Sequence, residues 1–175
     1  MNTNQKNEIF EVVDRNGNTI KTATRQECHS NPKLIHKAVH CMVFNEKGEI
    51  FLQKRSSEKK IQPGKWDTSV GGHLLAGEDF ETALKRETKE ELGIELKNFD
   101  FLYNYIWESP VETEFIKTYK THITPDDKIK INKDELDDGR FWNKEILFEK
   151  IGNNPEIFTP NFLYEVQLLK KNAIL

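Results

Sequence analysis

Cysteine is scarce in this chain. Only Cys28 and Cys41 occur in 175 residues. Two thiols imply no disulfide framework and fit a reducing compartment. Long apolar runs are missing as well, and nothing approaches the roughly 20 residues that cross a bilayer. The opening stretch MNTNQKNEIF carries no apolar segment of signal-peptide type. A cytoplasmic location and no membrane partner are therefore expected. Basic runs are equally thin. Net charge is −3, and KIKINK at Lys128 to Lys133 is the nearest approach to a cationic tract. Bulk electrostatic binding of nucleic acid is disfavoured. An anionic small molecule would have to be met locally, by a metal ion or a few Lys and Arg. With no repeat, linker or low-complexity tract, and with 31% charged against 36% hydrophobic residues, the expectation is one globular domain over 1–175.

The spacing predicts a strand at Ile9 to Val13, a turn at Arg15 to Asn18 and a strand at Ile20 to Ala23. Thr24 is placed to cap a short helix through Cys28. A hairpin follows, Ala38 to Phe44 and Glu49 to Lys54 about the turn Asn45 to Gly48. Residues 56–66 read as a loop turning at Pro63-Gly64, and short strands span Ser69 to Leu74. Phe99 to Trp107 and Thr113 to Ile123 read as a long antiparallel pair, with a short strand at Arg140 to Trp142. Thr159-Pro160 starts a helix that runs to about Lys171. The sum is a mixed sheet with helices packed on it, class α+β.

The stretch GGHLLAGEDFETALKRETKEELGI, Gly71 to Ile94, carries the chemistry. A helix from near Asp79 to Leu92, stopped by Gly93, puts Phe80, Ala83, Leu84, Thr88 and Leu92 on one stripe. Thr82, Lys85 and Lys89 face away. Glu87 and Glu91 point along the stripe, and Glu90 sits at its edge. A wet face is available, yet three carboxylates crowd the dry one, which is costly unless something neutralises them. Positions i, i+3 and i+4 bring three carboxylates to one point, as a hard divalent cation requires. A Glu/Lys-rich surface helix would explain Lys85, Lys89 and Glu90 but not Glu87 and Glu91.

Gly72, Glu78, Arg86, Glu87, Glu90, Glu91, Gly93 and Ile94 fall at the spacing of the Nudix box, residues 72–94, which this segment resembles without a gap. Thr88 stands where an aliphatic residue is usual. The resemblance implies a Nudix-type α/β/α sandwich and cleavage of a diphosphate linkage with Mg²⁺ or Mn²⁺. It implies that Glu87, Glu90 and Glu91 hold the metal, that the Gly72 carbonyl adds a ligand, and that Arg86, tied to Glu78, completes the catalytic set. It also implies a homodimer as one possible assembly. Residues 1–35 read as a short N-terminal hairpin extension.

A second likeness spans roughly Glu27 to Phe115. LQKRSSEKKIQPGKWDTSVGGH resembles isopentenyl diphosphate isomerases, Nudix relatives whose divalent metal sits on three histidines and two glutamates. His29, His36 and His73 fall at matching positions, and Glu112 and Glu114 match the paired glutamates. Glu91 matches the isomerase glutamate that reaches a metal. Arg55 and Lys59 match diphosphate-binding residues, and Tyr103 an active-site tyrosine after one gap. The isomerase cysteine before the glycine-histidine pair is absent, because Gly71 fills that slot and has no group to move a proton. Cys41 reads as core filler rather than a substitute. The isomerases degrade the Arg-Glu and Glu-Glu parts of the box, and here both are intact.

Alternatives stay open around these positions. The three histidines either form a second metal site or line a pocket without metal. Glu112 and Glu114 flank Thr113 on a strand and so share a face, either as a polar outer face, as metal ligands, or with one as general base. Arg55, Lys59, Lys60 and Lys65 read as diphosphate binders, Arg55 and Lys59 first, or as a solvated basic loop. Trp66, Trp107, Phe141 and Trp142 read as core for the most part, with stacking on a nucleotide base as the alternative. Glu135 and Asp138 read as loop acids or members of the site. The expected activity is Mg-dependent hydrolysis of a nucleoside diphosphate derivative or related small organic diphosphate. An isomerase and a non-catalytic nucleotide sensor are the alternatives.

Overall fold

A computed structural model describes residues 7–175. The first six residues of MNTNQKNEIF lie outside them. In chain order the elements are β1 (Ile9–Val13), β2 (Thr19–Thr24), α1 (Arg25–Cys28), β3 (Ile35–Phe44), β4 (Ile50–Arg55), β5 (Trp66–Asp67), β6 (Val70–His73), α2 (Phe80–Leu92), β7 (Asp100–Glu108), β8 (Thr113–His122), β9 (Leu136–Trp142), α3 (Lys144–Asn153) and α4 (Pro160–Lys171). The architecture is α+β with a mixed sheet. Two compact units emerge, one of residues 7–40, 71–87 and 100–119, the other of residues 41–70, 88–99 and 120–175.

In the first unit β1 and β2 form an antiparallel hairpin with Ile9 opposite Thr24. Asp14 turns it, its carboxylate accepting from the Asn16 and Asn18 amides at 2.8 and 3.0 Å. Thr24 caps α1 in a full capping box with Glu27. Antiparallel pairing sets Val12 of β1 opposite His36 of β3. β6 and β8 also pair with β3, and β7 pairs with β8. Phe10, Val12 and Cys28 make a buried cluster under this sheet.

In the second unit β3 turns into β4 through Asn45, whose side chain accepts from the Lys47 and Glu49 amides at 2.9 and 3.0 Å. β5 pairs with β4, Gln53 opposite Asp67. β9 also pairs with β4, in register from Ile50 opposite Trp142 to Gln53 opposite Gly139. Close approach explains Gly139: a β-carbon there would lie 2.4 Å from the Phe51 ring. Trp66 and Trp142 meet edge to face at 5.1 Å, and Arg140 stacks on both at 4.7 and 4.3 Å. Thr159 caps α4 with Pro160 in its first turn. Phe162, Val166 and Leu169 of α4 are buried.

Several elements exceed the sequence expectation. β3 begins at Ile35 and β9 at Leu136, β5 forms where the loop was expected to end, and α3 was not expected at all. Leu-Asp-Asp-Gly hides a strand because its polar residues face solvent and its glycine is there for Phe51. α3 buries only Leu147 among its ten residues, so its apolar stripe is faint, although its Asn143 cap is plain.

Helix α2 runs as expected. Asp79 caps it by accepting from the Thr82 amide at 2.8 Å, and Gly93 closes it at φ +69°. Ala83, Leu84, Thr88 and Leu92 are fully buried, so Thr88 does pack as its methyl allows. Phe80 is a correction: it is half-buried, with the Lys117 ammonium 4.4 Å from its ring centre.

Candidate active site

The box residues build from Arg86 outward. Arg86 Nε and Nη2 donate to the two oxygens of Glu78, both at 2.8 Å. Nη1 donates to Glu87 Oε1 at 2.7 Å, and Nη2 also reaches the His73 carbonyl at 3.0 Å. One guanidinium thus fastens the start of the box to the helix. Burial pushes the Glu78 carboxyl up, but the Arg86 hydrogen bonds and the Leu75 amide outweigh it and hold the carboxyl below its ordinary range. The same pairing drives Arg86 further into its charged form.

Gly72 meets Glu87 from the strand side. A β-carbon on Gly72 would sit 2.0 Å from Glu87 Cδ, so only glycine lets the β6 backbone lie against that carboxylate. Glu90 and Glu91 follow at i+3 and i+4 on the same helix, Glu90 exposed and Glu91 half-buried. Gln53, inside β4 and 3% exposed, donates Nε2 to Glu91 Oε2 at 3.3 Å. Three carboxylates on one helical turn, one of them pressed on a backbone that has room for nothing else, are a donor set that fits a hard divalent cation.

A second cluster lies within the first unit. His29 Nε2 stands 3.2 Å and His36 Nε2 4.0 Å from Glu112 Oε2, and His73 Nε2 stands 3.1 Å from Glu114 Oε1. Candidate donor atoms of His29, His36, His73 and Glu112 all lie within 4.8 Å of one another. Two nitrogens bound 2.1 Å from a tetrahedral centre are roughly 3.4 Å apart, so the set need close by little more than an ångström. Phe10 floors the cluster, 5.4 Å from His36 and 5.1 Å from His73. Burial lowers His36 to about 3 and His29 to about 4, so both imidazoles are neutral at pH 7, the form that ligates metal. His29 Nε2 and His36 Nε2 are buried without a hydrogen bond. These observations favour a metal over a simple polar face, and Glu112 and Glu114 point at the histidines rather than outward.

Other expected residues are placed differently. Arg55 donates to the Ile61 carbonyl at 3.1 and 3.3 Å and to Asp67 at 3.2 Å, so it also shapes the 56–65 loop. Asp67 in turn accepts from the Thr159 hydroxyl at 2.8 Å. Lys59 is ion-paired with Glu135. Asp138 is exposed and binds its neighbour Gly139. Tyr103 is half-buried on β7, its ring 6.2 Å from Tyr105. Cys41 is fully buried, and burial pushes its thiol up, as core filler should be. Gln53 is the residue that sequence reasoning passed over. Its signal was a lone amide inside the buried strand IFLQKR.

Comparison with known proteins shows the family. The NUDIX domain model matches residues 34–162. Isopentenyl-diphosphate Delta-isomerase of Citrobacter koseri is 31% identical over 155 residues, 85% of this chain and 84% of that protein. An uncharacterized Nudix hydrolase of Listeria innocua is 35% identical over 157 residues, 89% of each. The crystal structure of DR0079 from Deinococcus radiodurans superposes with a TM-score of 0.78 at 23% identity, covering 91% of this chain and 98% of that one. With its box intact and its domain matched over most of its length, the chain belongs to the Nudix family.

Proposed function

We propose that this protein is a metal-dependent Nudix hydrolase that cleaves a diphosphate linkage in a nucleoside diphosphate derivative or a related small organic diphosphate. The observation that carries the reading is Arg86, which binds Glu78 and Glu87 together and so fixes Glu87 against Gly72. Glu87, Glu90 and Glu91, with the Gly72 carbonyl, would hold Mg²⁺ or Mn²⁺. Bound there, such an ion supplies charge neutralisation for the diphosphate and an oriented, more acidic water. Arg55 and Lys59 would meet the remaining phosphate charge, and Tyr103 would contact the substrate. Water attacks one phosphorus in line, giving two phosphate-bearing fragments, or a monophosphate and phosphate.

His29, His36, His73, Glu112 and Glu114 would hold a second divalent ion. That cluster is the observation favouring the other reading, an isomerase-like enzyme, since several relatives carry the isomerase name. Against it stands Gly71, which offers no proton where the isomerases have a cysteine. Cys41 does not replace it, being sealed in the core. A sensor without turnover is disfavoured by the intact carboxylates. No helix among the described residues is long and apolar enough to cross a membrane.

Calorimetric titration with Mg²⁺ or Mn²⁺ in the presence of a diphosphate ligand tests the reading. Binding that Glu91→Gln abolishes is expected. No binding by the wild-type protein overturns it.

A further inference from the structure

Gln53 is fully enclosed in β4, 3% exposed, on a strand whose neighbouring positions Phe51 and Leu52 are apolar core. Its amide nitrogen reaches Glu91 Oε2 at 3.3 Å. Nitrogen must be the end that faces the carboxylate, because two oxygens would repel. The carbonyl end, Oε1, is then a buried acceptor with no hydrogen bond. Buried acceptors are nearly always satisfied, by protein or by an ordered water. An amide whose donor is spent on a candidate metal ligand and whose acceptor is unmet has the chemistry of a group that supports a hydrated cation. One end holds the ligand, and the other is a buried acceptor of the kind an ordered water satisfies.

The backbone at Glu91 is held by the neighbouring loop through two hydrogen bonds. Asn132 N donates to the Glu91 carbonyl at 2.8 Å, and Lys130 N to the Leu92 carbonyl at 2.8 Å. The last turn of α2 therefore cannot slide relative to that loop. Opposite Gln53 on β9 lies Gly139, with no side chain to compete for the amide. The rotamer of Glu91 is what remains to be set, and Gln53 is a buried side chain in position to set it.

We infer that Gln53 is a positioning residue of the metal centre: its Nε2 holds the Glu91 carboxylate in the orientation in which Glu91 would ligate the cation. This rests on the metal-dependent hydrolase reading above.

The test is Mn²⁺ affinity, followed by electron paramagnetic resonance on full-length protein. Wild type, Glu91→Gln, Gln53→Leu and Gln53→Glu are compared. The class of sites that E91Q removes is the one read, which separates it from binding at the histidine cluster. Q53L is expected to weaken that class about tenfold or more while its Tm stays near wild type. Q53E keeps a polar group in the same volume, so it guards against a folding failure in Q53L. It turns the donor into a second carboxylate facing Glu91, so its Mn²⁺ affinity should depart from wild type by severalfold or more at neutral pH. Unchanged Mn²⁺ affinity in a folded Q53L, or in Q53E at neutral pH, overturns the role of Gln53 and leaves the hydrolase reading standing. A wild-type protein with no class of sites sensitive to E91Q overturns the hydrolase reading itself, and the inference with it.

Discussion

The backbone of Gly72 lies directly against the carboxyl group of Glu87, so that a β-carbon at 72 would fall 2.0 Å from Glu87 Cδ. Gly72→Ala must push that carboxylate away. The displaced atoms are the end of a flexible side chain, so the cost to folding is small. G72A should melt within about 5 °C of wild type yet bind Mn²⁺ at least tenfold more weakly. Thermal melts and a metal titration on the same preparation check both halves.

Arg86 makes its contacts through a planar fork that lysine cannot copy. Arg86→Lys keeps the charge but removes the two-pronged donation to Glu78, whose side chain is 9% exposed, leaving Oε2 with only the Leu75 amide if the ammonium takes Oε1. A loss of about 2–3 kcal/mol is expected at neutral pH. The pH dependence follows from the lowered Glu78 carboxyl. Its contribution is full above the ordinary carboxylate value of 4.5 and disappears as pH falls through the depressed folded value. R86K relieves the depression, so its stability should fall less steeply below about pH 5 than that of wild type. Urea midpoints taken from pH 7 down to pH 3 measure this.

Neutral histidines held near one another invite a borderline metal. One equivalent of Co²⁺ should give visible d–d absorption that His73→Asn removes. At a hundredfold excess over Kd the ion should stabilise the fold by about 2.7 kcal/mol, a rise in Tm of roughly 5–10 °C. Chelation should reverse it.

Lys59 spends its charge on Glu135 when no phosphate is near. Both side chains are about one-third exposed, so the pair is worth under about 1 kcal/mol. Glu135→Gln should therefore lower KM no more than about fivefold, with kcat unchanged. Lys59→Ala should raise KM by tenfold or so. Steady-state kinetics on a diphosphate that the protein cleaves separate the two.

Much of this was legible in the residues, for identifiable reasons. Helix α2 announces itself through Asp79, Gly93 and a 3.6-residue stripe, and its carboxylates stand out because they break that stripe. The Thr24–Glu27 capping box and the Thr159-Pro160 start are local, so they are visible locally. α3 was missed because it buries one side chain, and the first residues of β9 because Gly139 answers to Phe51 across the sheet. Gln53 was missed for the same reason. Its meaning depends on Glu91, 38 residues away, and no spacing rule links them. The Arg55 contacts with Ile61 and Asp67 likewise depend on a loop path that sequence does not reveal.

The most direct test of the central claim is one panel of reactions with Mg²⁺ and purified protein. It should contain nucleoside di- and triphosphates, nucleotide sugars, dinucleotides and isopentenyl diphosphate, run in ¹⁸O-water with products identified by mass. Hydrolysis predicts cleavage of at least one diphosphate, label in one phosphate-bearing product, and loss of both with E91Q. Dimethylallyl diphosphate formed without phosphate release or label would contradict the hydrolase account and transfer the site to isomerase chemistry despite Gly71.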